Sequence, residues 1–335
     1  MAQNWSAHCG FHELLFPEID YCGSLLAEAM RNLVCLLKRL PATIQDHSSS
    51  CLFISTTFGM SSNSTVIFRP EGVARHYGYV PHEYVGIIFM ALFGLSTIIH
   101  VGQAIYYRMW WLFLTACLCG VGELVGWGGR LWSALTPDQA LKTPYMMQIT
   151  TTILAPTPLI AVNFILLSWI VTRLGPCYAR LTPIQYSIIF TSCDVAALCV
   201  QGAGGGIASS ANTEADSELG SNIMLGGIIF QFVAILVYVA LASDFLWHYR
   251  TDIPVRAAAP HHRGHLEPKM KTMIAALAFS TLVLFIRSIY RIIELAGGWH
   301  GRIIQTEIYF DVLDGGMVVL AIVVINLAHP GRLLG

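Results

Sequence analysis

Charge is what this 335-residue chain has least of: Asp, Glu, Lys and Arg make up 12% of it, against about 25% in soluble globular proteins. Length alone would suggest two soluble domains of about 150 residues, but so little charge cannot cover the surface of either. Nor does one sign dominate. With 19 basic and 20 acidic residues there is no basic field to attract nucleic acid. Catalytic signatures are missing as well: there is no Gly-x-Ser-x-Gly elbow, Cys-x-x-Cys pair, haem attachment sequence or P-loop. Neither a cofactor nor an ATP-driven pump is therefore expected. His261 and His265 stand at i,i+4, but no Glu lies between them and the loop holds Pro and Arg, so no metal site is expected either. What is abundant is apolar: 55% of residues are hydrophobic and the mean hydropathy is +0.60. The bulk of this chain belongs in lipid.

A helix needs about 20 mostly apolar residues to cross the hydrocarbon. Seven runs qualify: Tyr84–Ile105, Met109–Leu131, Met146–Val171, Pro183–Gly205, Ile223–Ala242, Met273–Ile293 and Ile308–Leu327. The short alternating segments of a β-barrel are absent. The expected fold is an all-α seven-helix membrane bundle. Orientation follows from basic residues in the connections. The first, third and fifth connections and the tail hold Arg108, Arg173, Arg180, Arg250, Arg256, Arg263, Lys269, Lys271 and Arg332, whereas the others hold Lys142 and Arg302, with Arg130 at a span end. This predicts an N-terminus outside and a C-terminus in the cytosol.

The reading divides the chain into an outer region, residues 1–81, a membrane domain, residues 82–330, and a short cytosolic tail, residues 331–335. No apolar h-region behind a basic start marks a signal peptide. Asn4 and Asn63 head glycosylation sequons, and Cys9, Cys22, Cys35 and Cys51 could form two disulfides in an oxidising compartment. Both patterns also arise by chance. Cys117, Cys119, Cys177, Cys193 and Cys199 lie in or beside spans and read as small apolar fillers.

The informative residues are those that are costly where they sit, about 2.5–3.5 kcal/mol for a charge at a helix centre on insertion scales. The second span carries Glu123 and Arg130, seven apart and so on one face; the fourth carries Asp194 and Gln201 at the same spacing. The sixth carries Arg287, Arg291 and Glu294, and the seventh begins with Glu307, Asp311 and Asp314. The charged members number six acids and three bases, some of them near a membrane face, so up to three carboxylates must be protonated, solvated or paired with an outside cation. Asp194 and Asp311, without an opposite charge on their own helices, read with Gln201 and Glu123 as substrate-binding or proton-carrying. Arg130, Arg287, Arg291, Glu294, Glu307 and Asp314 read as a polar network, which could equally serve only to lock the bundle. The run Gly202 to Gly206 fits close helix approach or an unwound end lining a cavity. Pro156 and Pro158 should kink the third span and open space within the bundle, or simply pack as a kink. His100 reads as a hydrogen-bonded packing residue.

Several blocks together resemble the fungal RTA-like family, seven-span lipid-translocating exporters. They are Tyr77-Gly78-Tyr79-Val80-Pro81; Phe93-Gly94-Leu95-Ser96-Thr97 with His100 and Gln103; Gly122-Glu123 to Gly129-Arg130; Cys193-Asp194 to Gln201-Gly202-Ala203-Gly204-Gly205-Gly206; Arg287-Ser288-Ile289-Tyr290-Arg291 with Glu294; and Glu307, Tyr309 and Asp311. They fall in order across residues 77–330. The resemblance implies a fungal integral membrane protein, at the plasma membrane, that exports or flips amphiphiles such as sphingoid bases or sterol-like compounds in stress and toxin resistance. It brings no catalytic residue, and its expected partners are membrane lipids or amphiphilic small molecules. Surplus intramembrane carboxylate suits a cationic amine, which points to passive or proton-coupled translocation. Two other classes use the same residues: a seven-span receptor or sensor with a cytosolic partner at loop 244–271, and an intramembrane enzyme employing the carboxylates as acid and base.

Overall fold

The computed structural model describes residues 77–334, except 140, 212, 257–262 and 299–300, all within one compact unit, Pro70–Gly335. The four N-terminal cysteines, both sequons and His261 lie outside the described residues. Among the described residues seven helical segments are long and apolar enough to cross a membrane: Glu83–Tyr106, Trp110–Leu135, Lys142–Leu174, Pro183–Ser210, Glu214–Thr251, Pro268–Ala296 and Glu307–Leu333. Among the described residues there is no strand. The helices extend beyond the apolar runs because hydropathy detects only the part suited to lipid, whereas caps set the ends. Thr182 shows this. Its hydroxyl accepts from Gln185 N, the Gln185 side chain accepts from Thr182 N, and Pro183 stands in the first turn, a capping box that starts the fourth span. The third span stops at Gly175, whose φ of +139° is open to glycine and strained for other residues.

Neighbouring spans pack on one another around a ring that closes from the seventh to the first, with the third inside it against the second, fourth, fifth and sixth. Leu95, Ile98, Leu114, Ile184 and Leu282 are exposed on the outer faces, as lipid-facing side chains should be. The glycine run of the fourth span proves to be a contact surface. A Cβ on Gly204 would lie 2.6 Å from Met224 N, and one on Gly220 would lie 2.5 Å from Ala208 N, so the fourth and fifth spans touch backbone to backbone. The helix continues to Ser210 and is not unwound.

The two prolines of the third span interrupt the helix only at Ala155, which keeps right-handed helical angles. The space expected there is filled, since a Cβ on Gly122 of the second span would come within 2.7 Å of Ala155 Cβ. His100 is fully buried and its Nε2 bonds Ile322 O at 3.1 Å. At the end of the bundle that holds Tyr107 and His329, the third and fifth connections pair. Val255 N and Arg256 N donate to Cys177 O at 2.9 and 3.0 Å, Gly264 N donates to Leu174 O at 2.9 Å, and Arg263 pairs with Asp252 at 2.9 Å. Much of the described part of loop 244–271 is thus bound to the chain's own backbone and side chains.

Candidate functional site

The seventh span begins with one turn, Glu307–Phe310, and then widens into a π-helical stretch, Asp311–Gly316. Such insertions recur at functional sites because they shift side chains off the regular helical face. Here the shift splits one acidic stripe between two neighbours. Glu307 and Asp311 meet the second span, and Asp314 meets the sixth.

The first cluster lies where the second span ends and the seventh begins, beside Tyr79 and His82. Arg130, 1% exposed, donates to Glu307 Oε1 at 2.8 Å, to Asp311 Oδ1 at 3.4 Å and to the Tyr79 hydroxyl at 3.1 and 3.2 Å. Its guanidinium also sits 4.9 Å from the Phe310 ring centre and 5.6–5.8 Å from those of Tyr77, Tyr79 and Trp127, an aromatic box that suits a cation. Burial pushes the Tyr79 hydroxyl up to about 12 despite the opposing charge of Arg130, so it stays protonated. His82 closes the top: its backbone N–H donates to Glu307 Oε1 at 3.0 Å and its Nδ1 lies 2.5 Å from Oε2.

The second cluster lies deeper. Arg291 donates to both oxygens of Asp314, at 2.8 and 2.6 Å, to Glu294 at 2.6 Å and to Thr152 Oγ1 at 2.8 Å. Arg287 Nε lies 2.9 Å from Asp314 Oδ1, and its terminal nitrogen donates to the Thr152 carbonyl at 2.5 Å. The Tyr290 hydroxyl donates to Glu294 at 2.9 Å. Glu123 is fully buried near Asp314, Arg287 and Arg291, yet neither of its oxygens has an aligned donor among the described residues. Phe310 separates the two clusters, with Arg130 at 4.9 Å and Arg291 at 5.2 Å from its ring.

Asp194 stands apart, 2% exposed, between the fourth and fifth spans. Gln231 Nε2 donates to its Oδ1 at 3.4 Å, and Gln201 Nε2 donates to Gln231 Oε1 at 3.0 Å. Asp194 Oδ2 and Gln201 Oε1 have no partner among the described residues. An isolated carboxylate in such a place is stable only with a proton or a cation beside it. The surplus of three carboxylates counted in the sequence is therefore divided one to each location: Glu307 and Asp311 against Arg130; Glu123, Glu294 and Asp314 against Arg287 and Arg291; and Asp194 alone.

The structure thus brings together most of the expected residues, but with one change. Asp311, which has no cation on its own helix, finds Arg130 on another. Gln231, Thr152, Phe310 and His82 escaped the sequence reading, and Tyr79 entered it only within a block of the resemblance, with no part assigned. A glutamine inside an apolar run was visible by the rule that singled out Gln201. The others are ordinary residues given their part by packing.

With this geometry in hand, the family model described as RTA1 like protein matches residues 116–335. The chain belongs to the RTA1-like family. Among its relatives, the sphingoid long-chain base transporter RSB1 of Saccharomyces cerevisiae strain S288c is 27% identical, the match covering 76% of this chain and 73% of that protein. The probable lipid transporter atnI of Emericella nidulans is 27% identical over 84% of this chain and 76% of its own length. Protein RTM1 of Saccharomyces cerevisiae is 26% identical over 60% and 62% respectively. No solved structure matches the chain. This RTA1-like protein is an integral membrane protein, with seven membrane-spanning helices among the described residues.

Proposed function

We propose that this RTA1-like protein moves single-chain, amine-bearing lipids of the sphingoid-base type across a membrane, passively or in exchange for protons. The observation that carries the reading is that carboxylates outnumber guanidiniums by one at each of three locations, two of them fully buried and the third part-buried with His82 beside Glu307, in a chain whose relatives are named as transporters of sphingoid bases and lipids. An ammonium or a proton is the counter-charge these sites lack. In this reading Asp194, Glu123 and Asp311 carry the proton or meet the head group, with Gln201 hydrogen-bonding beside Asp194. Arg130, Arg287, Arg291, Glu294, Glu307 and Asp314 hold the helices in register. The concentration of Lys and Arg in the odd-numbered connections and tail supports a cytosolic C-terminus. The proposed location is the plasma membrane, and the proposed role is resistance to toxic amphiphiles.

The test is movement of a fluorescent sphingoid base between leaflets of liposomes holding purified protein, wild type beside Asp194→Asn. Transfer above that of empty liposomes, lost in a variant that melts normally, is the expected result. No transfer across a range of amphiphiles and pH gradients would refute transport.

A further inference from the structure

The first span has Tyr79 of the ion cluster before it and Tyr107 after it. At the Tyr107 end, a groove of about 700 Å³ runs between the close of the third span and the start of the fourth, lined among others by Trp169, Thr172, Arg173, Ile184 and Pro330. That volume is in the range of small-molecule sites. Its walls can be reached from outside, since Thr172 and Arg173 are exposed and Ile184 is 69% exposed. One N–H of the Arg173 guanidinium donates to Leu334 O, which ties the side chain to the wall. An arginine has five N–H donors, so the rest remain for a ligand.

Charge and depth specify what that ligand is. The stretches that supply the lining, residues 107–109, 168–173, 183–184 and 330–334, contain Arg108, Arg173 and Arg332 and no Asp or Glu. All three arginines are exposed. The ion pairs at this end join Arg180 to Asp244 and Arg263 to Asp252, and none among the described residues neutralises Arg108, Arg173 or Arg332. A cationic head would meet only like charge here, whereas an anion meets its complement. Tryptophan and tyrosine collect where hydrocarbon gives way to head groups. Tyr106 and Trp110 are 79% and 64% exposed, and Trp111 packs edge-on to Trp169 with ring centres 5.9 Å apart. This aromatic belt sets the groove at the level of lipid phosphates, with Arg173 on its polar side and Ile184 on its apolar side.

We infer that this groove docks a phospholipid of net negative charge, its phosphate on Arg173 and its acyl chains beside Trp169 and Ile184. The site differs from the buried carboxylates in the sign of the charge it takes, and it does not depend on the transport reading. The measurement is anisotropy of acyl-labelled phosphatidylglycerol titrated with the full-length protein in dodecyl maltoside micelles. Salt is kept at about 0.15 M, where long-range attraction is screened, and melting temperature is followed in parallel. Phosphatidylglycerol should compete roughly tenfold better than phosphatidylcholine. Arg173→Gln should weaken binding about fivefold, the loss of a charge-assisted contact to phosphate. Thr172→Trp, which fills the groove and keeps Arg173, should weaken it severalfold. Arg250→Gln removes an exposed charge outside the lining and should leave binding within twofold of wild type. Equal competition by phosphatidylcholine would overturn the inference, as would a loss in Arg250→Gln equal to that in Arg173→Gln, which would mean a diffuse basic surface. Displacement by inorganic phosphate as effective as by the lipid would make this a free-anion site and overturn lipid docking. Should Arg173→Gln melt below wild type, Thr172→Trp decides: unchanged binding in it refutes the groove.

Discussion

Arg291 makes four hydrogen bonds in the deep cluster, and its replacement by Met tests whether that cluster holds the helices together. Met has a similar reach and fits apolar surroundings, so the change removes charge with little loss of volume. Four hydrogen bonds disappear, two to Asp314 and one each to Glu294 and Thr152. Adding them separately would overstate the cost, because Arg287 remains 2.9 Å from Asp314 and the bonds are not independent. The better guide is the removal of one partner from a buried ion pair, about 3–5 kcal/mol, most of it the charge left stranded. For a domain of this size that corresponds to a melting-temperature drop of roughly 6–20 °C at about 2–4 °C per kcal/mol. Scanning fluorimetry of protein in detergent micelles reads it. The double variant Arg291→Met with Asp314→Leu should melt higher than Arg291→Met alone, since the stranded carboxylate is gone. A single variant within 2 °C of wild type, or a double variant whose loss equals the sum of the two singles, would refute the account of a coupled buried network.

Further predictions concern the other locations. Asp194→Asn removes a carboxylate held by one 3.4 Å bond from Gln231, so its melting temperature should match or exceed wild type while sphingoid-base transfer falls at least fivefold; a destabilised protein would mean Asp194 is structural. Gly204→Ala places a methyl 2.6 Å from Met224 N and should cost about 1–3 kcal/mol by overpacking. Gly202→Ala meets nothing within 4 Å and should stabilise by about 0.5–1 kcal/mol through helix propensity; thermal scans of the pair should move in opposite directions. Tyr79 keeps its proton up to about 12 because burial disfavours the tyrosinate, whereas the unfolded hydroxyl ionises near 10. The folded protein therefore binds the extra proton between these values, and stability should fall as pH rises from about 10 to about 12. Tyr79→Phe should flatten that decline in alkaline unfolding curves; an unchanged slope would reassign it to other groups.

Much of this molecule was legible in its sequence, and the reason is solvent. Hydrocarbon cannot hydrogen-bond, so each span had to be a continuous apolar helix, and counting about twenty such residues finds it. The same severity makes a charge within a span conspicuous, which is how Glu123, Arg130, Asp194, Arg287, Arg291 and the acids of the seventh span stood out. Their partners were not legible, because pairing across helices depends on the ring order and on rotation about each axis. Asp311 meets Arg130, and Asp314 meets both Arg287 and Arg291, through a π-helical widening of the seventh span that no periodicity announces. Phe310 between two guanidiniums, and the Thr152 carbonyl beneath Arg287, are likewise products of packing. The prolines of the third span left two outcomes open, a kink with space beside it or a kink simply packed, and the close approach of Gly122 to Ala155 decided for packing. Composition and hydropathy thus determined the class of solvent, the number of spans and the surplus of three carboxylates. Only the tertiary structure decided that each of three separate locations takes one of them, because a charge finds its partner in space, not along the chain.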